Sequence, residues 1–233
     1  MQLVGGGCGR HNLKKYLRLA DAIDIAESQT AYTNYNRMMR RVSDFYGFPL
    51  DLTVAAFCAL SPNNDYFGNL RSLVSVLQGV VLRVPPDAIT ISTYNHCKLR
   101  ALDYLQGAEG FVSAGRGLKT LSFYQNILTP DTPDWVTIDG HIAAAYNGNP
   151  LATMKDSILT RRNYAEISDT LFGLALDAGE LPSTMQARVW LTRKRLYRIK
   201  FNPNMDMFRE EGDQSGILLD PALIHPYPLR VVA

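Results

Sequence analysis

Two side chains in this sequence combine reactive type with suggestive spacing: Lys119 and Asp139. Lys119 closes the run Gly115-Arg116-Gly117-Leu118-Lys119-Thr120. Gly115 and Gly117 can take φ > 0, so a tight turn there would bring backbone N–H groups close to a phosphate or to another helix. The spacing predicts Lys119 in the first turn of the helix that follows. There the positive end of the helix dipole and any burial favour the neutral, nucleophilic amine. Asp139 ends the β-branched run Val136-Thr137-Ile138 and stands at the N-cap position before His141-Ile142-Ala143-Ala144-Ala145-Tyr146. Its carboxylate can cap that helix, face Lys119 across a cleft, or do both. An amine and a carboxylate sharing one cleft can attack an electrophilic carbon and offset the charge that develops.

Other residues offer weaker chemistry. Asn63-Asn64-Asp65 is a polar knot after Ser61-Pro62, and such residues also satisfy turn backbones locally. Between Leu181 and Met205 lie Arg188, Arg193, Lys194, Arg195, Arg198 and Lys200 without one Asp or Glu. A solvated helix normally mixes signs, so this segment points to a polyanion, with Arg188, Arg193 and Lys194 on phosphates. Gln186 and Trp190 stand four apart on one face of the same helix. Asp139-Gly140-His141 offers two metal ligands, but the chain has only four histidines and no partner at ligand spacing, so no metal or cofactor is expected. Leu118 between Gly117 and Lys119 excludes a nucleotide-binding P-loop.

Helical elements must position these residues. The Gly-rich first dozen residues read as a flexible tail, followed by helices over 13–27 and 32–46, the second carrying Arg37, Arg40 and Arg41 on a solvated face. Asp51 reads as the N-cap of a buried helix over 52–60, and further helices are expected over 69–82 and 93–105. Asn147-Gly148-Asn149-Pro150 reads as the break between two lobes. A helix over 163–178 follows, and Ser183 reads as the N-cap of the basic helix. The expected division is a tail (1–12), a helical domain (13–201) with its lobe break at 147–150, and an irregular extension (202–233). Strands are expected only as short pieces near Thr90 and Val136.

With 233 residues and 46% hydrophobic content, the chain can bury one large core or two lobes sharing a cleft. Cys8, Cys58 and Cys97 form neither a disulfide framework nor a zinc pattern, which suits a reducing compartment. The sequence shows neither a membrane-length apolar run nor a signal-peptide pattern, so a cytoplasmic location without membrane contact is expected. The net charge of +2 says nothing about partners.

The order Gly115-Arg116-Gly117-Leu118-Lys119-Thr120, helix, Val136-Thr137-Ile138-Asp139-Gly140-His141-Ile142 resembles the core of the helix-hairpin-helix DNA glycosylases. In that superfamily a Gly-x-Gly hairpin leads into a catalytic lysine, and an aspartate follows about twenty residues later. Lys119 and Asp139 fall on those positions. Ala59-Leu60-Ser61-Pro62-Asn63-Asn64-Asp65 falls on the segment such enzymes place against DNA. The chain is closer still to a phage group of glycosylase-like proteins through three blocks, Ala59 to Leu70 with Asn69, Lys119 to Ile127, and Gln186 to Trp190. The resemblance covers roughly residues 40 to 195. Two features depart from the pattern. Ser113-Ala114 replaces the usual Leu-Pro before the hairpin, and the cluster cysteines of some relatives are missing.

This resemblance implies a mainly α fold of two helical lobes flanking a cleft. It further implies DNA as partner, with a base flipped from the duplex and gripped by Asn63, Asn64, Asn69, Gly115, Gly117, Gln186 and Trp190. The activity implied is thymine hypermodification in bacteriophage DNA, in which pyrophosphate on 5-hydroxymethyluracil is replaced by an amino acid or polyamine; the location would then be the host cytoplasm. Lysine-dependent base excision and a DNA-binding module without catalysis are the alternatives.

Overall fold

Helices form here wherever apolar spacing, capping side chains and a packing partner agree. The computed structural model describes residues 6–107, 117–149 and 159–197, which are mainly α-helical. In order these are α1 (Gly6–Leu19), α2 (Ala22–Tyr46), α3 (Leu50–Leu60), α4 (Tyr66–Val81), a 3-10 turn (Pro86–Ala88), α5 (Asn95–Leu105), α6 (Leu118–Leu128), α7 (Gly140–Tyr146), α8 (Arg161–Ala178) and α9 (Pro182–Leu196). No strand occurs among the described residues, so the pieces expected near Thr90 and Val136 are absent there. Residues 136–138 instead form a buried connection into α7.

The described residues divide into two compact units. The first runs up to Asn36 and resumes at Gly117; the second begins at Arg37. The division therefore falls inside α2, and the 147–150 segment expected to separate lobes lies within the first unit. Its turn chemistry ends a helix instead. Gly148 takes φ 66°, its N–H reaches the Ala145 carbonyl, and the Asn149 N–H reaches the Ala144 carbonyl at 3.0 Å.

The first unit's core joins Leu13 and Tyr16 of α1, Val136 and Ile138, Ile142 and Ala145 of α7, Ile167 and Leu171 of α8, and Met185 and Val189 of α9. Helix α1 starts inside the stretch expected to be a tail. Gly9 explains why this Gly-rich stretch is helical: a side chain there would meet the Tyr146 ring, so glycine lets α1 approach α7. Asn12 Nδ2 donates to the Tyr146 carbonyl at 2.9 Å, and Arg10 pairs with Asp177.

The two expected helices over 13–27 and 32–46 break elsewhere, between α1 and α2. The Asp24 N–H donates to Asp21 Oδ1 at 2.8 Å and the Asp21 N–H to Asp24 Oδ2 at 3.2 Å, a reciprocal cap that starts α2. No Gly or Pro interrupts α2 before Gly47, so it runs unbroken to Tyr46. Arg37, Arg40 and Arg41 are exposed on it.

In the second unit α3 is buried from Thr53 to Leu60, as its apolar composition predicts, and packs against α4 and α5. Pro49, not Asp51, is the residue before the first turn of α3; Asp51 lies within that turn and complements the helix dipole. Lys98 is only 6% exposed, its ammonium donating to the Ile89 carbonyl at 2.9 Å. Ser183 is likewise not a cap. Leu181 precedes α9 and Pro182 opens it, where a missing N–H costs nothing.

The Gly9 contact makes a direct prediction. Gly9→Val should destabilise the protein by about 1–3 kcal/mol through overpacking against Tyr146, because that ring is pinned by a 2.8 Å hydrogen bond from its hydroxyl to Glu166. Urea denaturation measures it, and an unchanged midpoint would show that α1 does not depend on this approach.

Candidate functional site

Asp139 anchors the site through both carboxylate oxygens. As N-cap of α7 it accepts the Ile142 N–H on Oδ1 at 2.9 Å, and on Oδ2 it accepts the Trp190 indole N–H at 3.1 Å. The cap was legible in the sequence; the indole on α9 was not. The carboxylate is half-buried and held from two directions.

Tyr164 of α8 fixes the segment that delivers Asp139. Its hydroxyl accepts the Ile138 N–H at 3.2 Å, lies 2.8 Å from the Val136 carbonyl and 2.9 Å from Ser122 Oγ. The tyrosine O–H thus faces the Val136 carbonyl and Ser122 Oγ as acceptors. Ser122 lies on α6, the helix that carries Lys119. One buried hydroxyl thus ties the helix of the lysine to the segment of the aspartate. Asn126 of α6 adds a second tie, donating to Thr137 Oγ1 at 2.9 Å.

Lys119 is the second residue of α6 and is half-buried. Gly117 caps that helix at φ −62°, an extended conformation open to any residue, so the positive φ expected of it is not used. Gly115 lies outside the described residues. The ammonium of Lys119 is close enough to His141 to act on its protonation. Burial pushes the His141 imidazole below its usual pKa; Asp139 opposes this, while the charges of Arg193, Lys194 and Lys119 reinforce it. Lys119, Asp139, His141, Arg193 and Lys194 therefore share one electrostatic site within the first unit.

Helix α9 supplies one wall of this site. Trp190 meets the His141 ring edge-to-face at a centroid separation of 6.2 Å, and the Lys194 ammonium sits 3.8 Å from the Trp190 ring centroid. Arg193 is wholly buried, its Nη1 2.7 Å from His141 Nδ1. Gln186, 5% exposed, accepts the Tyr32 hydroxyl proton at 2.7 Å. Tyr32 in turn lies near Thr137, Asn126 and the charge of Asp139. Spacing at 186, 190, 193 and 194 puts these side chains on one face of α9. That spacing was visible in the sequence, whereas their partners were not.

The charge of α9 is largely met from inside the protein, which corrects the expectation that Arg188 and Arg193 lie on phosphates. Arg188 is 9% exposed and grips Glu180 through two nitrogens, at 3.1 and 2.8 Å, with Nε on Ser28. Arg195 pairs with Asp21 and Asp24 and donates to the last-turn carbonyl of Leu19 at 2.7 Å. A run of like charge along one helix is neutralised here by carboxylates on other elements. Lys194 alone of the three is partly exposed. Arg198 and Lys200 lie outside the described residues.

The polar knot belongs to the second unit, where Asn63 is exposed at φ 53°. Asn64 donates to the Leu60 carbonyl at 3.3 Å and accepts from Ser92 Oγ at 3.0 Å. Asp65 caps α4 by accepting the Gly68 N–H at 2.7 Å. Asn69 is 4% exposed and donates to the Phe57 carbonyl at 3.2 Å. Turn and helix-cap duties thus account for Asn64, Asp65 and Asn69, and Asn63 and Asp65 are the members exposed to solvent. Among the described residues, no three His, Cys, Asp or Glu side chains gather as a metal site. None of the described helices is long and apolar enough to cross a membrane.

Comparison with known proteins finds one match, over residues 9–196, to the model of a family described as "Family of unknown function (DUF7178)". No curated protein and no solved structure matches significantly.

The two-sided grip on Asp139 predicts coupling. In Asp139→Asn the amide must turn its nitrogen towards either the Ile142 N–H or the Trp190 N–H, which loses one pairing and costs about 1–3 kcal/mol. Trp190→Phe removes the second donor, so the double variant should lose less stability than the two single losses added. Strict additivity in denaturation free energies would show that the indole does not hold the carboxylate.

Proposed function

As a member of the family DUF7178, whose function is unknown, the chain must be read from its own site, and we propose that it is an enzyme acting on a modified pyrimidine flipped out of DNA. The observation that carries this reading is that α6, the helix of Lys119, is tied through Asn126 and Ser122 to the segment that delivers Asp139, with the charges of both residues acting on His141. Lys194 sits over the ring of the tryptophan that holds the Asp139 carboxylate, and Lys119 and Lys194 act on the same imidazole as that carboxylate, which suits a substrate that brings negative charge and must lose a proton during reaction. The resemblance of the Lys119, Asp139 and Gln186 to Trp190 segments to helix-hairpin-helix glycosylase-like phage proteins adds the substrate class and the fold.

The reaction proposed is group transfer on 5-hydroxymethyluracil bearing pyrophosphate. The lone pair of a donor amine, from an amino acid or polyamine, attacks the 5-methylene carbon. The carbon–oxygen bond breaks, and pyrophosphate leaves with its electron pair. Asp139 accepts the proton that the incoming amine sheds, and the Lys119 ammonium offsets the charge on the leaving group. The resemblance implies a flipped base, which would carry this carbon from the major groove into the site between these side chains.

Lys119→Gln tests the assignment. It should cut pyrophosphate release by at least about a hundredfold while leaving the fold intact. Borohydride separates group transfer from excision. Excision through Lys119 leaves a reducible Schiff base to the sugar and traps a covalent protein–DNA species, whereas transfer leaves the glycosidic bond whole and gives no trap. Wild-type turnover by Lys119→Gln would remove Lys119 from the chemistry, and absence of turnover by the wild-type protein on both kinds of substrate would leave a binding module as the better reading.

The internal pairing of α9 makes a separate prediction about DNA affinity. Lys194→Ala should reduce the slope of log affinity against log salt by about one counterion, because only exposed cations release counterions from phosphates. Arg188→Ala should leave that slope alone and lower stability instead, by about 1–3 kcal/mol, because the part-buried Glu180 carboxylate loses its partner. A slope lowered equally by both variants would mean that α9 turns outward on DNA.

A further inference from the structure

A proton position can be read from the pair formed by Arg193 and His141. A guanidinium offers only N–H donors and has no lone pair to give. At 2.7 Å from Arg193 Nη1, the Nδ1 of His141 is therefore the acceptor, and the proton of the neutral ring lies on Nε2. Arg193 is well placed to hold this arrangement. It is the largest of the fully buried side chains, its guanidinium carbon lies 6.0 Å from the Tyr197 ring centroid, and Tyr197 stacks edge-on against Tyr16 of the core. A buried guanidinium in such a cage has little room to reorient, so the ring it donates to is fixed as well.

The groups facing His141 reinforce the neutral state. Asp139 comes from the segment before α7, Lys119 from α6, and Arg193 and Lys194 from α9. Three cations oppose one carboxylate, and both oxygens of that carboxylate already accept N–H donors. His141 is half-buried while Arg193 is wholly buried, and Nε2 is the ring nitrogen that Arg193 does not contact.

We propose that Arg193 is a positioning residue that holds His141 as its neutral Nε2–H tautomer, and that this N–H donates to an oxygen acceptor of the nucleotide bound beside Lys119 and Asp139. The second half rests on the nucleotide reading given above. A neutral donor suits that place because an imidazolium would compete for the Asp139 carboxylate and weaken it as a proton acceptor.

Two measurements test the halves separately. Long-range proton–nitrogen correlation of the imidazoles in the nitrogen-15-labelled full chain, followed from about pH 8 to about pH 5, reads tautomer and titration directly. Loss of one signal set in His141→Gln assigns the residue. The expected result is an Nε2–H ring that stays neutral well below the usual histidine range, and that gains Nδ1–H character or titrates normally in Arg193→Met. An Nδ1–H tautomer in the wild type, or titration near the ordinary value of about 6.5, would overturn the role of Arg193. Should Arg193→Met fail to fold, the wild-type spectrum alone still decides.

The second measurement is binding to duplex DNA carrying one 5-hydroxymethyluracil. Glutamine places its amide nitrogen where Nε2 stood, and asparagine places it where Nδ1 stood. His141→Gln should therefore bind at least about fivefold more tightly than His141→Asn, a difference of about one hydrogen bond. Equal affinities of the two variants would overturn the donor role. If the wild type binds no DNA at all, the nucleotide half and the reading beneath it fall together, while the spectrum continues to decide the role of Arg193.

Discussion

The hydroxyl of Tyr164 is the constraint on which the site's geometry depends. It satisfies a backbone N–H and a backbone carbonyl within the 136–138 connection and reaches Ser122 Oγ of α6. A buried extended segment without a sheet partner would otherwise leave those backbone groups unpaired, at a cost of about 1–3 kcal/mol each. A tyrosine on α8 does here what a neighbouring strand does in a sheet. Because the same oxygen also reaches α6, the orientation of the lysine helix and the position of the aspartate are set together.

Helix α9 shows how tertiary partners rewrite a local charge pattern. Read along the chain, it is a row of cations that invites a polyanion. Folded, Arg188 is neutralised by Glu180 and Arg195 by Asp21 and Asp24, while Arg193 is turned into the core beside His141. Arg195 also accounts for the join between α1 and α2, since it bridges the capping carboxylates of one helix and a last-turn carbonyl of the other. What remains at the site is Lys194 over the Trp190 ring, a cation placed by an aromatic face.

Legibility in the sequence followed the range of the interaction that decides each feature. The Asp139 cap, the start of α6 at Lys119 and the burial of α3 depend on neighbours within a few residues, and local spacing found them. Helix α1 did not show itself, because its glycines signal looseness until Tyr146 is seen to fill the space that Gly9 leaves. The division between the units was hidden for the opposite reason. It falls inside an uninterrupted helix that carries no turn residue, whereas the conspicuous Asn-Gly-Asn run only ends α7. Tyr32 and Tyr164, which complete the site from two other helices, leave no short-range trace, and Arg193 shows in the sequence only as a charge, without its partner His141.

The direction of the hydrogen bonds explains how Asp139 can be structural and still available. Ile142 and Trp190 both donate to it, one on each oxygen. An ionised carboxylate has about four acceptor positions, so two donors fix its plane and leave roughly half its capacity facing elsewhere. Both donors leave the remaining lone pairs of the carboxylate directed away from Ile142 and Trp190. Helix capping and the orientation of the free acceptor positions are thus set together, because Ile142 and Trp190 both approach the carboxylate as N–H groups.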